Sequence, residues 1–582
     1  MQARKVSGAR ALGLLMGKLK AAYIVDDCEQ EWLVSDLIEK SRESDDYEIG
    51  LLIVQRTFRT DEVSKVRKIL NFIKRRGVKK LVEKALIAFL QRAEWRLASF
   101  ASTALGNRRA SSILSGFFDR QSLDEIGLER LYVTPEVSGS GLVYRYSKSD
   151  VEAIRARNID VLIRGGSGIL RGDILTVCPF GILSFHHGDN DMYRGSPAGF
   201  WEVFHRASST GFVIQKLTAE LDGGDVLFKG HIGTAPFYAL NQAKIYRKAN
   251  IFLHRLLEEL SRSRRLPDVY PKIPYAHPLY ETPTTLEQLA YLGRTGFHLT
   301  GKILRRVRRQ SQRWSVAYLF GDGWRDAALR RAMTVKNPPG RFLADPFVIF
   351  RDGAHFCFVE DFDYAGGKGK ISVLRLREDG HEDLGCALEE DFHLSYPYLF
   401  EADGGLYMCP ETHEAGDIRL YKCVSFPNDW QLHKVIMRDV NAADTCIFSH
   451  DGKWWMLTNI DSAGIGDHDS ELHLFHADTF DSESWTPHPR NPVIFDSRRA
   501  RNGGLFIEDG DIFRVFQVQE FDSYGAAMGI ARIDVLDEQT FSESEICTIP
   551  PHFFDGATGA HSFSVAGKLI AFDFARFEKT GR

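Results

Sequence analysis

The 582-residue chain lacks the marks of several functional classes. Its eight cysteines are scattered, with no Cys-x-x-Cys pair and no zinc-ligand spacing, so no metal site is expected and a reduced, intracellular protein is the simplest reading. No run of roughly 18 apolar residues occurs, and a transmembrane helix is therefore not expected. A net charge of −4 gives no global reason to expect nucleic acid as a partner. Met1 to Lys20 carry basic residues around a short apolar run but no small-residue cleavage site, which makes a poor signal peptide and leaves a cytoplasmic location as the expectation. No Gly-x-Gly-x-x-Gly follows the first apolar stretch, so a dinucleotide site there has no support.

What is present falls into two halves. Residues 21–26 and 49–54 read as buried strands around a helix at 29–40, the opening of a doubly wound α/β fold. The pattern returns with a helix over 150–158 and a strand over 159–163. Gly165, Gly166, Ser167 and Gly168 follow that strand directly. In an open parallel sheet ligands bind beyond the carboxyl ends of strands, and three glycines in four residues favour a ligand wall over a simple turn.

Residues 61–98 interleave lysine and arginine with leucine, isoleucine and phenylalanine as a basic amphipathic helical insert. It reads as a solvated helix face packed on the domain, with contact to a membrane surface or a phosphate-rich ligand as the sharper alternative. A helix over 244–262 closes this domain. Residues 263–313 read as a linker, proline-rich and then, from Arg294 to Arg313, basic and half helical, with the same two alternatives of a solvated segment or a membrane-facing collar.

From Trp314 onward an apolar run, a tight turn and a second apolar-aromatic run recur about every 50 to 60 residues. The turns are Asp352-Gly353, Asp403-Gly404, Asp451-Gly452, Asp509-Gly510 and Ala566-Gly567, and Asp-Gly supplies the positive φ of a tight hairpin. Five such repeats predict an all-β five-bladed propeller over 314–582, with residues 315–320 completing the last blade.

The chemistry concentrates in two places. His186 lies just past an apolar strand, and Asp222, followed by two glycines, lies a strand–helix–strand excursion later; an imidazole and a carboxylate so placed suit proton transfer. In the second half Asp345, Glu411 and Asp444 occupy blade-opening or inner-strand positions that would meet at one mouth of a central funnel. They could act as base, acid and pKa modulator, or serve a sugar-binding site as hydroxyl acceptors.

Four motifs in order, Ser184-Phe185-His186, Arg194-Gly195-Ser196-Pro197, Thr210-Gly211 and Asp222-Gly223-Gly224-Asp225, resemble the folate-dependent formyltransferases over roughly residues 150–235. The resemblance implies 10-formyltetrahydrofolate as co-substrate, with His186 as oxyanion stabiliser and proton carrier and Asp222 as its orienter. It also implies pterin-end contacts from Gly165 to Gly168 and cofactor binding by Asp225. The family asparagine is replaced by Ser184, a shorter donor, and His187 or Asn190 could take over its oxyanion contact. The second half, from Ala344-Asp345-Pro346-Phe347 onward, resembles arabinanase-type glycosidase propellers and that of the plant glucosamine inositolphosphorylceramide transferases. Together these imply formyl transfer to the amine of a nucleotide- or lipid-linked sugar, with a glycan at the propeller. The alternative is a glycosidase or glycosyltransferase acting through the propeller carboxylates beside a non-catalytic α/β domain.

Overall fold

The computed structural model describes residues 17–56, 65–104, 108–139, 141–219 and 224–579. Contacts divide the chain into one unit of Met1–His205, Thr210–Gly230 and Ala235–Leu292 and another of Arg206–Ser209, His231–Thr234 and Gly293–Arg582.

The α/β unit is built on seven strands: β1 (Leu19–Val25), β2 (Tyr47–Gln55), β3 (Glu129–Val133), β4 (Val161–Arg164), β5 (Ile182–His186), β6 (Ser209–Lys216) and β7 (Asp225–Gly233). Their order in the sheet is β7-β6-β5-β4-β1-β2-β3. β1 to β5 pair in parallel, and β6 runs antiparallel to β5. Side chains alternate across a strand, so Ala22 and Ile24 of β1, with Leu51, Ile53 and Leu162, face the helix Lys148–Arg155 through Val151 and Ile154. The helices Trp32–Glu43 and Tyr238–Ser263 pack on β1 and β2 as well, burying Leu37, Ile38, Leu253 and Leu257. The strand order reverses between β1 and β4. Their carboxyl ends therefore diverge into the crevice where open α/β sheets place ligands.

The basic insert expected over 61–98 is a helix over Lys65–Ala104, interrupted at Gly77, whose φ of 82° lies outside the helical region. The expected linker differs more. A 23-residue helix occupies Thr285–Val307 within the stretch read as linker, and it starts after the last proline of the cluster. Thr284 caps it reciprocally: the Glu287 amide donates to the Thr284 hydroxyl at 3.3 Å and the Thr284 amide to the Glu287 carboxylate at 2.7 Å. Thr-x-x-Glu before an apolar run is a capping box, a start signal that the proline and arginine content overshadowed. Among the described residues no helix is long and apolar enough to cross a membrane, and all eight cysteines are free.

The second unit is a succession of five antiparallel sheets. Four are built consecutively, opening on Arg341–Arg351, Ser395–Ala402, Ala442–His450 and Asn502–Glu508. The fifth joins Phe563–Ala566 and Leu569–Lys579 to two strands from the start of the unit, Gln310–Phe320 and Met333–Thr334. Gln310 to Phe320 pair in unbroken register with Lys579 to Leu569. The closing strand thus begins at Gln310 rather than at Ser315. The opening strands of successive sheets are neighbours, and that of the fifth touches that of the first, which closes a ring. Asp352, Asp403, Asp451 and Asp509 and the glycines after them all have positive φ, as a tight hairpin requires.

Candidate functional site

One backbone irregularity repeats around the ring. The first strand of each of the first four sheets loses register with the second at the same place: after Ala344, Ser395, Ala443 and Asn502. Bulges of this kind re-aim the residue they contain. The first three turn out Asp345, Tyr396 and Asp444, with φ of 48°, 46° and 50°. Non-glycine residues there cost about 1–3 kcal/mol each, so the surrounding contacts must hold them. They do: the Asp345 amide donates to Asp573 at 3.2 Å, and the Tyr396 amide donates to the Asp345 carboxylate at 3.2 Å. The second strands supply a matching set. Glu360 lies opposite Ala344, Glu411 opposite Ser395 and Asn459 opposite Ala443; Gln517 and Asp573 serve the fourth and fifth sheets.

The three carboxylates expected to meet are all buried; Arg501 links Asp444 with Glu411, while Asp345 is held by a separate set around His561. Asp345 accepts from the Ser562 hydroxyl at 2.9 Å and lies 3.2 Å from His561 Nε2. Glu411 is bonded to His413 at 2.6 Å. Asp444 accepts from Arg501 at 2.7 Å and from Gln517 at 3.1 Å. The Arg501 guanidinium also reaches Asp469 at 3.0 Å and Glu411 at 3.7 Å. Burial alone would raise every one of these carboxyls. Against burial, the His561 contact and charge, then Ser562, hold Asp345 below its ordinary range. His413 and Arg501 likewise hold Glu411 low. For Asp444 burial wins over Arg501, aided by the charges of Glu411 and Asp345, and its carboxyl is held well above the usual range. Glu360 is also held well above it, by burial and then by the Asp345 charge.

His561 lies between two carboxylates and under the Trp314 ring, whose centroid is 3.9 Å away. Its Nδ1 is 2.8 Å from Asp573 but off hydrogen-bond alignment, so that contact is an ion pair rather than a bond. Burial lowers the imidazolium's pKa, but Asp573 and Asp345 overcome it and push the value up to about 10. A histidine raised from 6.5 to about 10 stabilises the fold fully below pH 6.5 and loses that contribution as pH rises through 10. The ring is therefore expected to lose thermal stability between pH 6.5 and about 10, and His561→Gln to flatten that decline. Melting curves across this range check it; an unchanged slope in the variant would place the alkaline transition elsewhere.

In the α/β unit, β5 delivers Ser184 and His186 to its carboxyl end. Ser184 is buried and its hydroxyl donates to the Phe185 carbonyl at 3.3 Å. His187 is stacked between Phe185 and Tyr246, with ring centroids 5.0 and 3.7 Å away. Burial and then the neighbouring His186 depress its pKa to about 3, so it is neutral. Asn190 lines a cavity of about 210 Å³ with Gln215, Gly224, Lys229 and Tyr270. Its Oδ1 is buried and accepts no hydrogen bond from the described residues. Lys229, which the sequence analysis missed, is held by Asp189 at 2.9 Å and by Asp191. Asp222 lies outside the described residues. Asp225 opens β7 and sits 3.7 Å from Lys272.

The glycine loop packs closely on neighbouring side chains. A methyl group on Gly165 would lie 2.7 Å from Tyr23, one on Gly166 2.5 Å from Gln55, and one on Gly168 2.6 Å from Tyr144. The Ser167 amide donates to Asp26 at 2.9 Å. Close packing on the protein's own side chains accounts for glycine at these positions. In Arg194-Gly195 the glycine serves similarly: the Tyr280 carbonyl would be 1.9 Å from a Cβ, and the Arg194 guanidinium stacks 3.5 Å over Tyr275.

Parts of the chain are similar to proteins named as transferases and to solved glycosidase structures. Residues 311–555 match the family described as Glucosamine inositolphosphorylceramide transferase 1, N-terminal. Glucosamine inositolphosphorylceramide transferase 1 of Arabidopsis thaliana is 31% identical over 286 residues, 44% of this chain and 36% of that protein. A methionyl-tRNA formyltransferase of Chloroflexus aggregans is 26% identical over 216 residues, 35% of this chain and 64% of that protein. Among solved structures, the α-L-arabinofuranosidase of Podospora anserina in complex with cellotriose is similar with a TM-score of 0.31 at 12% identity, covering 40% of this chain and 90% of that one. The chain spans about a third of the length of the plant transferases it matches.

Proposed function

We propose that this protein modifies amino sugars with a division of labour: N-formyl transfer at the α/β unit and glycan recognition at the ring, which we read as a five-bladed β-propeller. The observation that carries the reading is the neutralisation of the ring's carboxylates. Asp345 is matched by His561, Glu411 by His413 and Asp444 by Arg501. A glycosidase needs one carboxyl free to give a proton and another free to attack the sugar or activate water. Three carboxyls each engaged by a protein cation suit a rigid hydroxyl-binding floor instead. The chemistry then falls to the α/β unit, where the order of the four motifs and the relationship to a methionyl-tRNA formyltransferase support formyl transfer.

In that reaction the free amine of the sugar attacks the formyl carbon of 10-formyltetrahydrofolate, and the bond from that carbon to N10 breaks. N10 takes up a proton, and the amine loses one. His186, at the end of β5, holds the developing oxyanion and carries the proton; Asp222 orients it. Incubation with 10-formyltetrahydrofolate and a panel of free, nucleotide-linked and lipid-linked amino sugars, read by the mass of one added formyl group, tests the reading. His186→Ala is expected to lower turnover by about 10²–10³, whereas Ser184→Asn, which restores the longer donor, is expected to retain or raise it. Turnover near wild type for His186→Ala would sink the assignment.

A second reading has its own support. Glu360 and Asp345 are adjacent carboxyls pushed apart in pKa, the pattern of an acid and base pair. If the ring transfers or hydrolyses glycosyl groups, Glu360→Gln would remove that activity and leave formyl transfer unchanged.

A further inference from the structure

The helix Thr285–Val307 is inverted relative to an ordinary surface helix. Successive residues turn by about 100° around the axis, so positions three, four and seven apart share a face. Leu286, Leu289, Phe297, Leu304 and Val307 fall on one such stripe, and they are exposed by 78, 55, 80, 46 and 74%. Opposite the stripe, in the first half of the helix, Gln288 and Tyr291 are buried, at 0 and 1%. Five large apolar side chains in one row of solvent contact are more than scattered surface residues, and a surface of that kind marks an interaction site.

Charge identifies what covers it. The helix carries Arg294, Lys302, Arg305 and Arg306 against the lone acid Glu287, and Arg308 and Arg309 follow at once, in a chain of net charge −4. Lys302 is engaged by Asp522 and Arg305 lies over Phe577, while Arg306 and Arg308 are exposed. An apolar stripe with arginine at its flank fits the boundary between lipid headgroups and acyl chains, where the stripe sinks in and the guanidinium groups stay with phosphates. A second copy of the chain would bring the same cationic flank against itself, and like charges across an interface oppose association. The helix is not apolar enough to span, so it lies in the plane of the surface.

We infer that this helix docks the protein on an anionic membrane surface. The inference stands apart from which reaction either unit performs. Its test is flotation of the full 582-residue chain with vesicles of phosphatidylcholine alone and of phosphatidylcholine with about one-third phosphatidylserine. The wild-type chain floats with the anionic vesicles, and added salt weakens the binding. The double variant Phe297→Asp, Leu304→Asp lowers the bound fraction about tenfold, and Arg306→Glu with Arg308→Glu lowers it on anionic vesicles. A wild-type chain that stays at the bottom of the gradient overturns the inference, as does a Phe297→Asp, Leu304→Asp chain that floats as well as the parent. Two further results overturn it by showing that protein covers the stripe: a smaller oligomer, or a lower melting temperature, in that variant with flotation unchanged.

Discussion

Replacing Arg501 by methionine is expected to destabilise the ring by about 3–5 kcal/mol, the cost of breaking a buried ion pair from one side. The guanidinium serves Asp444, Asp469 and Glu411 together, and its side chain is buried. Methionine matches much of the volume but leaves Asp444 and Glu411 in a low-dielectric site without their cation. Denaturant unfolding followed through the ring's tryptophans measures the loss. Lowering the pH should recover part of it, because the uncompensated carboxyls can then be buried neutral. Arg501→Lys keeps the charge but not the fork, and should fall between the two. A loss below about 1 kcal/mol, the range of exposed pairs, would mean that water reaches these carboxylates and that the centre is not the closed polar floor described.

Deleting residues 314–324 should abolish the ring's cooperative unfolding while leaving the α/β transition in place. The segment supplies the third strand of the fifth sheet and buries Trp314, Val316, Tyr318 and Trp324. Without it Leu569–Lys579 becomes an exposed edge, a template for aggregation. Two calorimetric transitions in the parent and a single one in the deletion, accompanied by loss of soluble protein on heating, are the expected record. Retention of both transitions would mean that four sheets and a hairpin are a stable fold by themselves.

Much of the fold could be read from local chemistry. Asp-Gly hairpins announce themselves because positive φ is rare outside glycine, aspartate and asparagine. The unbroken apolar run Ala21–Val25 announces a sheet buried on both faces. The centre of the ring was legible in part. Asp345 and Asp444 sit in the similar strings Ala-Asp-Pro and Ala-Asp-Thr, but nothing local says that their backbone turns left-handed; only the register against the next strand does. Arg501 and Glu360 were missed for the same reason. Arg501 precedes the fourth sheet's bulge as Ala344 and Ala443 flank theirs, and Glu360 and Glu411 share one position in consecutive sheets. Aligning the repeats on their hairpin turns would have found both. The glycine loop is legible only in part, since a run of glycines reports that something comes close without saying whether it is a ligand or Tyr144.

The pairing of Gln310–Phe320 with Leu569–Lys579 also fixes an order in time. The earlier strand is synthesised about 250 residues before its partner, a wait of roughly 10–50 s at ribosomal rates of ~5–20 residues per second. Each of the four middle sheets can pair within itself as soon as its own strands emerge. The first strand can pair early only with Met333–Thr334, over two residues, and through that interval the rest of it is an unpaired edge. Nascent chains of this protein therefore carry their greatest risk of misassociation at the ring's beginning rather than its end. A chaperone that holds Gln310–Phe320 until translation passes Lys579 would raise the yield of closed rings without altering the stability of any.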